Sequence, residues 1–108
     1  MIVYGLKACD TCRKALKALQ AAGHPAQLRD VRAEPLDPET LTRFEAAFGA
    51  ALLNTRSTTW RGLDEDTRKT PAIELLQEHP ALMKRPVIEA DGRLTLGWTK
   101  DVQATWIS

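Results

Sequence analysis

The chain opens on a continuous apolar run, Ile2-Val3-Tyr4, rich in β-branched and aromatic side chains, which predicts a buried strand. From residue 10 the period changes. Ala15, Leu16, Leu19 and Ala22 recur at spacings of three and four, while Arg13, Lys14, Lys17 and Gln20 fill the other side. Residues 10 to 22 are therefore expected as an amphipathic helix. Gly23 is a natural stop, and Pro25 forbids continuation. The stretch AQLRDVR that follows reads as a second strand. Strand, helix and strand within about 30 residues form a βαβ unit, a crossover that is almost always right-handed and sets the strands parallel.

The middle of the chain reads as helical. Asp37 and Pro38 suit N-cap and N1, and Leu36 with Leu41 then forms a hydrophobic staple. Leu41, Phe44 and Phe48 mark one face, and Gly49 ends that helix. The segment ALLNTRSTTWRGLDED is polar after its first three residues and is expected to be irregular. Thr70 and Pro71 start another helix with Ile73 and Leu76 inward, and Pro80 ends it before His79. The period then shortens. PVIEADGRLTLG predicts two short strands around Asp91-Gly92, because both central residues of a type I′ turn need positive φ. A final helix, roughly 100 to 107, would pack Val102 and Trp106 one turn apart. The order is β-α-β, a helical stretch from about 33 to 83, then β-β-α. That is a single α/β domain of the thioredoxin-like arrangement: a mixed four-stranded sheet with a helical insertion between its halves.

Composition narrows the function. The 108 residues carry fifteen basic and fourteen acidic side chains, so there is no basic field of the kind direct nucleic-acid binding needs. The apolar opening MIVYGL is too short for a signal-peptide core or a membrane span, which makes the cytoplasm the expected compartment. A monomer is the expected state. Thiols in that compartment are usually catalytic, sensory or metal-binding. Both cysteines stand in KACDTCRKALKAL, three positions apart at the mouth of the first helix. Free amides and the positive end of the helix dipole favour a thiolate there, and Arg13 and Lys14 add charge that Asp10 opposes. Cys9, farther out, is the expected nucleophile, and Cys12 could resolve a mixed disulfide from within. Two other readings exist: half a zinc site completed by His24 and His79, whose spacings match no finger or ribbon, and two inert buried thiols.

Arg85-Pro86 directly precedes the third strand. In the thioredoxin arrangement a cis proline occupies that place and faces the first-turn cysteine. An arginine beside it would offer a planar donor fork to an oxyanion or carboxylate. Arg56, Trp60 and Arg61 lie in the polar stretch, where a loop could close over a substrate and supply Arg56. Trp98 and Trp106 are expected to pack, and His24 and His79, beside prolines, to be solvated.

Four segments, YGLKACDTCRKA, LLNTRSTTWRGL, HPALMKRPVI and GRLTLGW, make the chain resemble the arsenate reductase/Spx family across nearly its whole length. The resemblance implies a thioredoxin-like fold, Cys9 as the reactive thiol, and Arg85 binding an oxyanion or thiol substrate beside cis-Pro86. Arsenate reductases coupled to glutathione and glutaredoxin use one cysteine and three arginines. Cys9 and Arg85 match two of these positions, whereas Asn54 and Gly97 stand where the other arginines would be. Arg56 is shifted two places from the first of them. The pattern is closer to the YffB-type branch, which implies a glutathione-dependent thiol reductase restored by glutaredoxin or thioredoxin, with no bound cofactor or metal. It also resembles the Spx-type branch, which implies a CxxC redox switch binding the RNA polymerase α subunit.

Overall fold

Strand β1, Ile2–Gly5, is one of the two inner strands of the sheet. It pairs in parallel with β2, Gln27–Asp30, and antiparallel with β3, Val87–Ala90, whose other edge pairs with β4, Arg93–Leu96. The computed structural model describes residues 1–107. It has two compact units: one holds Met1–Val31 and the described residues from Arg85 onward, the other Arg32–Lys84.

In the first unit, register decides which side chains share a face. Val3 lies opposite Leu28 on one side and Ile88 on the other, so all three point the same way. Helix α1, Asp10–Ala21, and helix α6, Lys100–Ile107, supply the matching apolar stripes. Val3, Leu19, Ala26 and Ile88 form the core, with Leu16, Leu28, Trp98, Val102 and Trp106 packed against it. Each fully buried aliphatic side chain contributes about 1.5–3 kcal/mol relative to exposure. The expected packing of both tryptophans is thus observed. The opposite face carries Tyr4, whose hydroxyl donates to Glu89 Oε1 at 3.2 Å and whose ring lies 6.0 Å from the Arg29 guanidinium.

The turns follow the sequence signals. Gly23 has φ +94°, and the amides of Ala22, Gly23 and His24 close the carbonyls of Ala18, Gln20 and Leu19. Asp91 and Gly92 have φ of 51° and 76°, the two positive values the hairpin turn requires. One expectation fails here. His24 is half-buried, not solvated: its Nε2–H donates to the Trp106 carbonyl at 2.6 Å, and the two rings meet edge to face. The reversal at Gly23 carries His24 back to the last turn of α6, where a carbonyl at a helix end has no partner within the helix and takes this donor.

In the second unit α2, Pro38–Phe48, begins at Asp37, whose carboxylate accepts from the Thr40 amide at 2.7 Å. Leu36 and Leu41 are both buried, as the staple requires, and Phe44 is fully enclosed. Helix α2 packs against α5, Ala72–Glu78. On α5 the most buried positions are Leu75 and Leu76, while Ile73 is half-buried. The polar stretch before it is not irregular. It forms two single helical turns, α3 (Thr58–Arg61) and α4 (Glu65–Arg68), capped by Ser57 and Asp64. Neither turn is long enough to show an apolar period, so only the caps could have announced them. His79 is half-buried at the C-cap of α5.

Gly5 ends β1 on the face that meets α1, and a Cβ built there would overlap the sulfur of Cys12. Gly5→Ala should therefore lower stability by about 1–3 kcal/mol, and by less in a Cys12→Ala background. Denaturant titration of the four-member cycle checks this; equal losses in both backgrounds would refute the contact.

Candidate thiol active site

The loop that leaves β1 is fixed at both ends before it delivers a thiol. The Lys7 amide donates to Asp30 Oδ2 at 2.9 Å, at the end of β2, and the Val31 amide donates to the Gly5 carbonyl at 2.9 Å. The Cys9 amide closes a turn onto the Leu6 carbonyl at 3.0 Å, and the Cys9 carbonyl accepts the first helical bond, from the Arg13 amide. Cys9 is thus the N-cap of α1, in extended conformation. Cys12 lies inside the first turn and is fully buried, whereas Cys9 is partly exposed.

The two sulfurs differ in protonation for stated reasons. Burial acts to raise the Cys9 thiol, but it is outweighed. The Cys12 backbone amide, the Cys12 thiol and the Arg85 guanidinium all hydrogen-bond the Cys9 sulfur, and Arg85 adds its charge, so Cys9 lies below its ordinary value. Burial pushes the Cys12 thiol up to about 12, and the hydrogen bond and negative charge of Cys9 act in the same direction. The Leu6 backbone and the Arg85 charge oppose that rise without cancelling it. One thiol therefore gives up its proton more readily than an ordinary cysteine, and its neighbour, which keeps its own, donates a hydrogen bond to it.

Arg85 and Pro86 come from the far end of the first unit. The Arg85–Pro86 peptide is cis, and Pro86 is buried. The Pro86 carbonyl accepts from the Gly97 amide at 2.8 Å, which links the residues before β3 to those after β4. Since β1 and β3 are sheet neighbours, Arg85 arrives beside the first helical turn, where it meets Cys9.

The remaining candidates are placed differently. Arg13 forms an ion pair with Asp10, and both are exposed. Arg56 belongs to the second unit, where it lines a cleft with Asn54 and Lys84. Trp60 and Arg61 are held within that unit by Arg68. Its guanidinium donates to both of their carbonyls at 3.2 Å and sits 5.6 Å from the Trp60 ring. Gly97, at one of the missing arginine positions, is buried with φ +84°, a conformation L side chains rarely adopt. Sequence reading passed over Gly5 and Lys84; a glycine between a strand and a cysteine motif was the available signal for the first. Among the described residues no group of three His, Cys, Asp or Glu side chains is arranged to hold a metal ion.

The Cys12 shift has a sign that stability can report. Between the ordinary thiol value and about 12 the unfolded chain loses this proton while the folded chain keeps it. Stability therefore falls as pH rises through that window. Denaturant midpoints from pH 9 to 11 should decline more steeply in the native chain than in Cys12→Ala. Equal slopes would place the Cys12 proton elsewhere.

Comparison with known proteins agrees with this fold. The ArsC family model matches residues 4–105. An uncharacterised protein of Haemophilus influenzae is 46% identical, with 96% of each chain covered. The global transcriptional regulator Spx of Listeria innocua is 30% identical, over 92% of this chain and 80% of that one. A solved YFFB protein is similar with a TM-score of 0.90 at 37% identity, covering 99% of this chain and 98% of that one. An arsenate reductase (ArsC) related protein from Brucella melitensis follows at a TM-score of 0.74 and 39% identity, covering 95% and 91%. The chain belongs to the ArsC family, with the thioredoxin-like fold of its solved members.

Proposed function

We propose that this protein is a cytoplasmic thiol–disulfide oxidoreductase that uses glutathione as cosubstrate and Cys9 as nucleophile. The observation that carries the reading is the partly exposed Cys9 sulfur, held below its ordinary pKa by the Cys12 amide, the Cys12 thiol and Arg85. An ordinary thiol with a pKa of about 8.5 is only ~1% ionised at pH 6.5, so an activated one stands out there.

The chemistry follows from the two sulfurs. The Cys9 thiolate attacks a disulfide or a glutathione mixed disulfide; one S–S bond forms on Cys9 as the old one breaks, and the leaving thiolate takes a proton from water. Arg85 positions an anionic partner beside the thiol, and buried cis-Pro86 fixes the backbone next to it. Once Cys9 is capped its negative charge is gone, which removes part of what raises Cys12, but the burial of Cys12 remains. Glutathione is therefore the better agent of release. Where the adduct is Cys9–glutathione, a glutathione thiolate attacks its glutathione sulfur, oxidised glutathione leaves and Cys9 is regenerated. Where a disulfide substrate leaves another thiol on Cys9, a first glutathione displaces that thiol to give the Cys9–glutathione adduct and a second releases it, so two glutathiones supply the two electrons. Cys12 resolves the adduct more slowly, giving a Cys9–Cys12 disulfide for glutaredoxin or thioredoxin to reduce. Asn54 and Gly97 replace two oxyanion arginines of the arsenate reductases, so disulfides rank above arsenate as substrates.

The likeness to Spx supports a second reading, a redox-responsive regulator whose disulfide changes its binding to the RNA polymerase α subunit. Turnover separates the two. With glutathione, a model disulfide should be reduced faster than arsenate. Disulfide formation without turnover, together with capture of the α subunit, would favour the regulator.

Two variants test the site. Cys9→Ser should abolish iodoacetamide labelling at pH 6.5, while Cys12→Ser should retain it; faster labelling of Cys12 would reverse the assignment. Arg85→Gln removes a hydrogen bond and a charge that lower Cys9, and should slow labelling at pH 6.5 about three- to ten-fold. An unchanged rate with the fold intact takes Arg85 out of the site.

A further inference from the structure

The second unit contains a cleft that the thiol chemistry does not use. It has a volume of about 610 Å³, within the range of small-molecule sites, and is lined by Ala50, Ala51, Leu53, Asn54, Thr55, Arg56 and Lys84. Its polar groups are donors. Arg56 and Lys84 are cations, Thr55 has a hydroxyl, and no acidic side chain is among the lining residues. Asn54 accepts the Arg56 amide through Oδ1 at 3.2 Å, so what it can offer a ligand is its Nδ2 amide donor. Its apolar part is Ala50, Ala51 and Leu53.

The cleft is built on paired backbone. Leu53 and Met83 form an antiparallel bridge, the Lys84 amide donates to the Leu52 carbonyl at 2.7 Å, and the Asn54 amide donates to the Leu82 carbonyl at 2.8 Å. The Ser57 hydroxyl donates to the Asn54 carbonyl at 2.8 Å and accepts the Trp60 amide at 3.1 Å. The bridge therefore fixes where Asn54 and Lys84 stand, and the turn after it fixes Arg56.

We infer that this cleft binds a small organic molecule through its carboxylates. A guanidinium fork matches a carboxylate in two-point geometry, and an ammonium supplies a second, point-like cation. Two cations without an acid select negative charge, while the alanine and leucine side chains suit the carbon skeleton of a peptide-like ligand better than a bare anion. The identity of that ligand as glutathione rests on the reading in the preceding section; the charge of the cleft does not. Glutathione brings two carboxylates for two cations.

S-methylglutathione is the probe, because its capped sulfur cannot react with Cys9 and binding is read alone. Isothermal titration at low salt should give a binding constant that weakens with added salt. Lys84→Gln and Arg56→Gln should each weaken it about three- to ten-fold, with circular dichroism confirming the fold. Lys84→Arg should restore most of the loss at that position. Blocking both carboxylates as amides should abolish binding. The assignment is overturned if the two Gln variants bind as the native chain does, if inorganic phosphate binds more tightly than S-methylglutathione, or if only an acidic peptide binds. Labelling of Cys9 at pH 6.5 in the native chain, run in parallel, keeps the two readings separate. Normal labelling with cation-independent binding sinks the cleft alone, and failed labelling with cation-dependent binding sinks the thiol alone.

Discussion

Easier ionisation of one sulfur is the constraint around which the first unit is arranged. A thiolate next to a protein interior is unfavourable unless fixed dipoles and a cation compensate for lost water. Here compensation comes from three directions: the amide of the first helical turn, the proton of a second thiol, and a guanidinium from across the sheet. Cys12 supplies the first two only because the chain folds into a helix there, and the third comes from the far end of the unit. The helix must begin at Cys9, Cys12 must be buried against Gly5, and Arg85 must enter β3 from the correct end.

These requirements explain local choices that look unrelated. Gly5 is small because a sulfur occupies the space its side chain would fill. The loop between β1 and α1 is tied to Asp30 because a helix start that shifted would take its amides away from the sulfur. The antiparallel placement of β3 beside β1 brings its N-terminal end to where β1 ends, and with it Arg85. The fold is the means by which residues distant in sequence share one charge.

Most of the architecture was legible because its signals were local. The strand and helix periods, the stop at Gly23 and the hairpin at Asp91-Gly92 each reside in a few consecutive residues, and each appears where expected. The cysteine pair at a helix start was equally readable. What escaped depended on distance or on shortness. His24 is paired with a carbonyl at the other end of the chain, which no neighbouring residue announces. The helical turns at Thr58–Arg61 and Glu65–Arg68 are one turn each, so they carry caps but no period. The cleft at Asn54, Arg56 and Lys84 depends on a single bridge, Leu53 to Met83, between two segments with no strand pattern.

Every group that sets the charge on Cys9 lies either before Val31 or after Lys84, so the intervening stretch is a continuous passage of chain with its own core. The groups that lower the Cys9 pKa and the cleft proposed to bind carboxylates are consequently written in separate stretches of the sequence. Substitutions between residues 32 and 84 can reshape the proposed cleft while leaving the immediate electrostatic partners of Cys9 untouched. A lineage can thus change its clientele without reinventing its chemistry.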